Sequence, residues 1–168
     1  MPEMKCVTAR KEITTLIDNE ISWTNWNTTA MAKEILDFTK KLIQFRKQHK
    51  ILHLSSEPRL MDYKSYGLPD MSYHGSKAWY ADFSHFNRHF SVMYCGKYAT
   101  IDGKEDEADL FIAYNMFWEM IKFGIPSARN KKQWKVVFAT DSGFKEPSDG
   151  IERMLQVPPR SIVVLMAK

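Results

Sequence analysis

Two carboxylates stand two positions apart in Asp18-Asn19-Glu20, and two indoles, Trp23 and Trp26, follow them in the stretch DNEISWTNW. In an extended segment, residues i and i+2 point to the same side. Carboxyl groups so placed can approach the separation of roughly 5–5.5 Å at which a retaining glycosidase pairs a proton donor with a nucleophile. That chemistry needs both acids held rigidly beside a cleft, whereas these precede the first clear element of the chain. Exposed loop acids are therefore the plainer reading. His85 and His89 lie four apart, the spacing of two metal ligands on one helix face, but no acid accompanies them in a zinc-site pattern. A structural or surface role is expected for both, and no metal site. Serine, cysteine and histidine form no nucleophile-elbow pattern, and no glycine-rich loop is present to cradle a phosphate.

The aromatic residues carry a stronger signal. Tyr73, Trp79, Tyr80, Phe83 and Phe86 crowd one long connection, and Trp118 and Trp134 fall on or beside strand-like runs. An indole can stack on a sugar or fill a core. On the strands core packing is the expected role, whereas in the connection ligand contact competes with packing against a neighbouring domain.

The elements that must position these residues are legible from periodicity. Met31, Ile35, Phe38, Leu42 and Phe45 recur at steps of four, three, four and three, and Leu36 and Ile43 widen the stripe. This predicts one amphipathic helix over residues 28–50. Asn27 or Thr28 can cap its start. Arg46, Lys47, His49 and Lys50 crowd its end, where cations suit the helix dipole, so this basic cluster reads as a solvated helix terminus. Short runs rich in β-branched or aromatic residues then predict strands at Leu60 to Tyr66, Ser91 to Cys95, Leu110 to Asn115, Met120 to Ile125, Trp134 to Thr140 and Ser161 to Ala167. Turn-forming segments separate them, which points to an antiparallel β-sandwich.

A chain of 168 residues fits one domain with an added element and buries enough surface to need no staple. The net charge of +4 is scattered, without the dense basic tract of a nucleic-acid-binding protein. Cys6 and Cys95 lack zinc or redox spacing. The start, Met-Pro-Glu-Met-Lys, has no apolar signal core, and no apolar run is long enough to span a bilayer. A cytoplasmic protein without membrane or nucleic-acid partners is expected.

Taken together, the segment from Asp18 to Trp26 and the following helix end LIQFRKQHKIL (Leu42 to Leu52) resemble bacterial glycogen debranching enzymes of the isoamylase and pullulanase type, members of the α-amylase superfamily. Their catalytic (β/α)8 barrel ends in a similar DNE-x-x-W-x-x-W segment, an amphipathic helix and an LRxxHP sequence. SYHGSKAW (Ser72 to Trp79), ADFSHFNR (Ala81 to Arg88), VMYCGKY (Val92 to Tyr98) and LFIAYNMFWE (Leu110 to Glu119) resemble the family's C-terminal domain in order and spacing. The match spans about residues 18 to 140. Departures are Lys50, where a proline is usual, Phe117, where a histidine is common, and residues 1–17, which are unlike the family.

The resemblance implies a mainly β fold: an antiparallel β-sandwich C-terminal domain over residues 53–168, preceded by a barrel-end remnant over residues 18–52 and a divergent segment over residues 1–17. The long helix would be the last helix of the barrel, with its apolar face docking on a barrel domain or barrel protein. The superfamily's nucleophile, general acid and third acid lie on earlier barrel strands, and no residue here matches them. The expected chain is thus a truncated gene product, or a terminal fragment with a new start, inactive alone and carrying no catalytic residue and no cofactor. Its glucan contacts are expected at Asp18 and Asn19, on the rim of the cleft, and at Trp79 and Trp118. A stand-alone carbohydrate-binding module and a purely structural subunit are the alternatives.

Overall fold

The computed structural model describes residues 29–100, 107–147 and 150–168. The chain divides into two compact units between Phe45 and Arg46.

Helix α1 runs over Ala30–Gln48, and its interior holds no glycine or proline that would break it. Its cap is Thr29, whose hydroxyl accepts a hydrogen bond from the Ala32 N–H at 3.2 Å. The expected caps, Asn27 and Thr28, lie outside the described residues. Arg46 and Lys47 occupy the last turn, as the dipole favours. Met31, Ile35, Leu36, Leu42 and Ile43 are all exposed, and no residue of α1 is buried.

Among the described residues, the second unit holds seven strands: β1 (Met71–His74), β2 (His89–Tyr94), β3 (Leu110–Asn115), β4 (Ile121–Gly124), β5 (Trp134–Ala139), β6 (Met154–Val157) and β7 (Ser161–Ala167). Five form one antiparallel sheet in the order β1-β2-β3-β7-β5, and β4 pairs with β6 in a second, two-stranded sheet. Register decides which side chains meet. Phe111 sits opposite Met93 on one side and Leu165 on the other, and Ala113 opposite Ser91 and Val163. These inward residues, with Trp134 and Ala167, meet Phe123, Leu155 and Val157 from the small sheet in one buried core. The result is the sandwich-like antiparallel arrangement that the turn-punctuated sequence predicts, since each sheet has one apolar face to hide. In β6 the alternation is clean, with Met154 and Gln156 outward and Leu155 and Val157 inward. In β5 a register irregularity between Val136 and Phe138 turns Phe138 to sit opposite Val164.

The expected strand at Leu60 to Tyr66 is absent; the segment is a chain of turns. Leu60 and Ser65 have φ values of 58° and 56°, which no extended strand accommodates. The Asp62 side chain organises the turn instead, accepting hydrogen bonds from the Tyr66 and Gly67 N–H groups and from the Tyr98 hydroxyl. The Tyr98 hydrogen bond is the main cause that lowers the Asp62 pKa, and burial together with that carboxylate pushes the Tyr98 hydroxyl up. Two strands, β1 and β6, appear where none was expected.

The corner below the sheet is closed by charge. Arg129 donates from Nε to both Asp109 carboxylate oxygens, at 2.8 and 3.0 Å, and its Nη2 lies 2.7 Å from Asp109 Oδ1. The same carboxylate accepts the Gly96 N–H. At the end of α1, His49 Nδ1 lies 3.6 Å from Glu107. Burial lowers the His49 pKa, and the Glu107 carboxylate opposes that shift.

Candidate functional site

The connection from β1 to β2, residues 75–88, is where exposed aromatic and polar side chains come together. It folds tightly at its start. The Tyr80 N–H donates to the Lys77 carbonyl, the Gly75 N–H also donates to it, and the Gly124 N–H on β4 donates to the Gly75 carbonyl. A methyl group added at Gly124 would meet the backbone nitrogen of Ala78 and the Lys77 Cα. Glycine is thus what lets β4 support this turn so closely. Gly124→Ala is expected to cost about 1–3 kcal/mol by overpacking, read as a lowered denaturation midpoint, because the atoms in the way are backbone and cannot swing aside.

Trp79 has a left-handed backbone, with φ 64°, unusual for a bulky residue. Its N–H donates to Nδ1 of the fully buried His74 at 2.7 Å, and its ring stands edge-on to the imidazole with centroids 4.9 Å apart. Since Nδ1 accepts, the proton of the neutral imidazole lies on Nε2, which donates to the Ser72 hydroxyl at 2.9 Å. Burial pushes the His74 pKa down to about 4, so the ring is neutral at physiological pH. Trp79 as a whole remains 52% exposed. It lines a shallow cavity of about 340 Å³ together with Lys77, Pro126, Ser127 and Arg153.

Beside it lies a cavity of about 330 Å³ lined by Gly75, Ser76, Lys77, Tyr80, Asp82 and His89. The Ser76 hydroxyl and His89 Nε2 are 3.2 Å apart. Asp82 Oδ1 accepts the Ser84 N–H, the main cause that lowers its pKa, and its charge acts on His89. Burial outweighs that charge and lowers the His89 pKa. The Asn87 carboxamide ties the return of the loop, donating to the Asp82 and His89 carbonyls.

Trp118 stands elsewhere, on the loop between β3 and β4. It is 58% exposed and stacks on Phe117 with ring centroids 4.1 Å apart. The buried Asn115 carboxamide anchors this loop, donating to the carbonyls of Glu119, Val157 and Pro158 and accepting the Phe117 N–H. Trp118 is not among the residues lining the Trp79 cavity. Trp134, by contrast, is core: it is buried and its indole N–H donates to the Pro126 carbonyl.

Asp18, Asn19 and Glu20 lie outside the described residues. Among the described residues, no group of three His, Cys, Asp or Glu side chains is placed to hold a metal ion. The buried acids are engaged structurally: Asp109 by Arg129, and Asp70 by the Arg59 and Met71 N–H groups. Cys95 is buried, and burial raises its thiol pKa to about 11, which keeps it protonated and inert. No helix among the described residues is long and apolar enough to cross a membrane. Sequence periodicity gave no sign of His74 as the support of Trp79, because that contact exists only once residues 74 to 79 fold back.

Comparison with known proteins gives one curated relative of note. The chain is 25% identical over 166 aligned residues, covering 90% of its length, to an isoamylase from a Flavobacterium species. It spans about a fifth (21%) of that protein. An α-amylase from H. orenii, solved by crystallography, aligns over 90% of this chain and 25% of its own, at 14% identity and a TM-score of 0.46. No family model matches.

Proposed function

We propose that this chain is a C-terminal portion of a debranching glycoside hydrolase of the α-amylase superfamily, acting on α-1,6-linked glucans such as glycogen or starch. The observation that carries this reading is the similarity to an isoamylase over nine-tenths of the chain, which agrees with the six segments found in order from DNEISWTNW to LFIAYNMFWE. The mainly antiparallel β unit and the preceding helix α1 fit the same assignment. In this reading residues 18–52 are the end of a barrel and residues 53–168 the sandwich domain. The exposed apolar residues of α1 then become a docking face for barrel strands, since a stripe of this kind is not left in water without a partner.

The chemistry of the intact enzyme is double displacement by two carboxylates, and none of the residues here is matched to them. This chain would brace the barrel and touch glucan. The purified chain is therefore expected to show no turnover of pullulan or glycogen. Release of reducing ends at ordinary enzyme concentrations would overturn the assignment.

A stand-alone carbohydrate-binding module is the second reading, favoured by the exposed indoles of Trp79 and Trp118. Electrophoresis through glycogen-containing gels separates the two. Retardation that is lost in Trp79→Ala supports glucan contact at that loop, and unretarded migration of the unaltered chain counts against a binding module.

A further inference from the structure

We infer that the cavity between Tyr80 and His89 is a subsite for one pyranose unit of an α-glucan chain, distinct from the Trp79 and Trp118 surfaces. The inference rests on the glucan reading above. The cavity, about 330 Å³, lies in the size range of small-ligand pockets. Its lining is a mixed set of groups. Tyr80 is 68% exposed and supplies an aromatic surface of the kind on which the C–H face of a pyranose packs. The Asp82 carboxylate only accepts hydrogen bonds, the Lys77 ammonium only donates, and the Ser76 hydroxyl does both. His89 has a lowered pKa, so it offers a neutral imidazole. Hydroxyl groups on adjacent sugar carbons donate and accept together, and this lining answers them in both directions.

Competing chemistries fit less well. A metal ion would find only Asp82 and His89 as strong ligands here. A phosphate or carboxylate would face the Asp82 charge. Ser76, His89 and Asp82 follow the residue types of a nucleophilic triad, but Asp82 Oδ1 is held by the Ser84 N–H and acts on His89 through its charge alone, so it does not orient the imidazole as that chemistry requires. Among the described residues, the larger cavity of about 650 Å³ beside β4 and β6 has Lys122, Lys145 and Gln156 as its polar side chains and no carboxylate.

Calorimetric titration of the full chain with maltoheptaose tests the subsite, using unaltered protein, Tyr80→Ala, Tyr80→Phe, Asp82→Asn and Trp118→Ala, each with a thermal melt. Tyr80→Ala and Asp82→Asn are expected to weaken binding about tenfold or more, with melting within about 2 °C of the unaltered chain. Tyr80→Phe, which keeps the ring, should bind within about threefold. Unchanged binding in Tyr80→Ala and Asp82→Asn, with loss in Trp118→Ala, overturns the subsite and leaves glucan contact standing. No binding by the unaltered chain overturns both. Should Tyr80→Ala melt early, Asp82→Asn alone decides, because its side chain keeps the same size.

Discussion

Replacing Arg129 with methionine is expected to destabilise the folded chain by about 3–5 kcal/mol, because it strands a buried carboxylate. Asp109 is 2% exposed, and Arg129 meets it through Nε and Nη2 at 2.7–3.0 Å. The same guanidinium donates to the Glu107 carbonyl, so its loss also frees a backbone acceptor. With the Gly96 N–H and the weakly donating Cys95 thiol left against it, the Asp109 charge must be desolvated or the segment from Glu107 to Asp109 must open. Urea denaturation followed by tryptophan fluorescence measures the loss. The double variant Arg129→Met with Asp109→Asn removes the charge while keeping an oxygen for Gly96, and should recover about half of it. A single-variant loss below about 1 kcal/mol would place the pair among ordinary surface bridges.

Arg129 also shows what a sequence hides. In the chain it is the first of five polar residues, Arg129-Asn130-Lys131-Lys132-Gln133, and nothing distinguishes its charge from its neighbours'. Asn130 and Lys131 adopt positive φ, and Arg129 alone finds a buried partner twenty residues back. The long strands were legible for the opposite reason. β3 and β7 are runs of branched and aromatic residues that are apolar on both faces, and their expected and observed limits coincide. β1, Met-Ser-Tyr-His, and β6, Met-Leu-Gln-Val, are four residues each and too mixed to stand out; they are strands because β2 and β4 pair with them. Leu60 to Tyr66 was misleading because its two aromatic rings, Tyr63 and Tyr66, both pack on Tyr98 rather than across a sheet. At the candidate site, the aromatic crowding left Trp79 between ligand contact and packing against a neighbouring domain, and the convergence of Ser76, Asp82 and His89 depends on how residues 75–88 fold and could not be read from spacing.

Acid should loosen the fold through His74, with a measurable signature between pH 6.5 and 4. The imidazole is fully buried between the Trp79 and Phe111 rings, and burial holds its pKa near 4 against 6.5 for a free histidine. In this window the unfolded chain binds the extra proton and the folded chain does not. Stability tied to His74 is therefore complete above pH 6.5 and declines as pH falls toward 4. A shift of this size corresponds to at most about 3 kcal/mol, and about 2 kcal/mol after allowance for solvent screening. Geometry gives the same sign. Protonation places a hydrogen on Nδ1, where it confronts the Trp79 N–H across 2.7 Å, so acceptance becomes repulsion and the left-handed Trp79 loses its tether. His49 and His89, also lowered by burial, add to the decline in the same direction. Comparing urea denaturation of the unaltered chain and His74→Gln at pH 7 and pH 4.5 isolates the His74 share, since every other titrating group is common to both. The unaltered chain should lose about 2 kcal/mol more than the variant over that interval. Parallel losses would show that the buried imidazole is not what acid attacks, and that Trp79 is held by the rest of its loop.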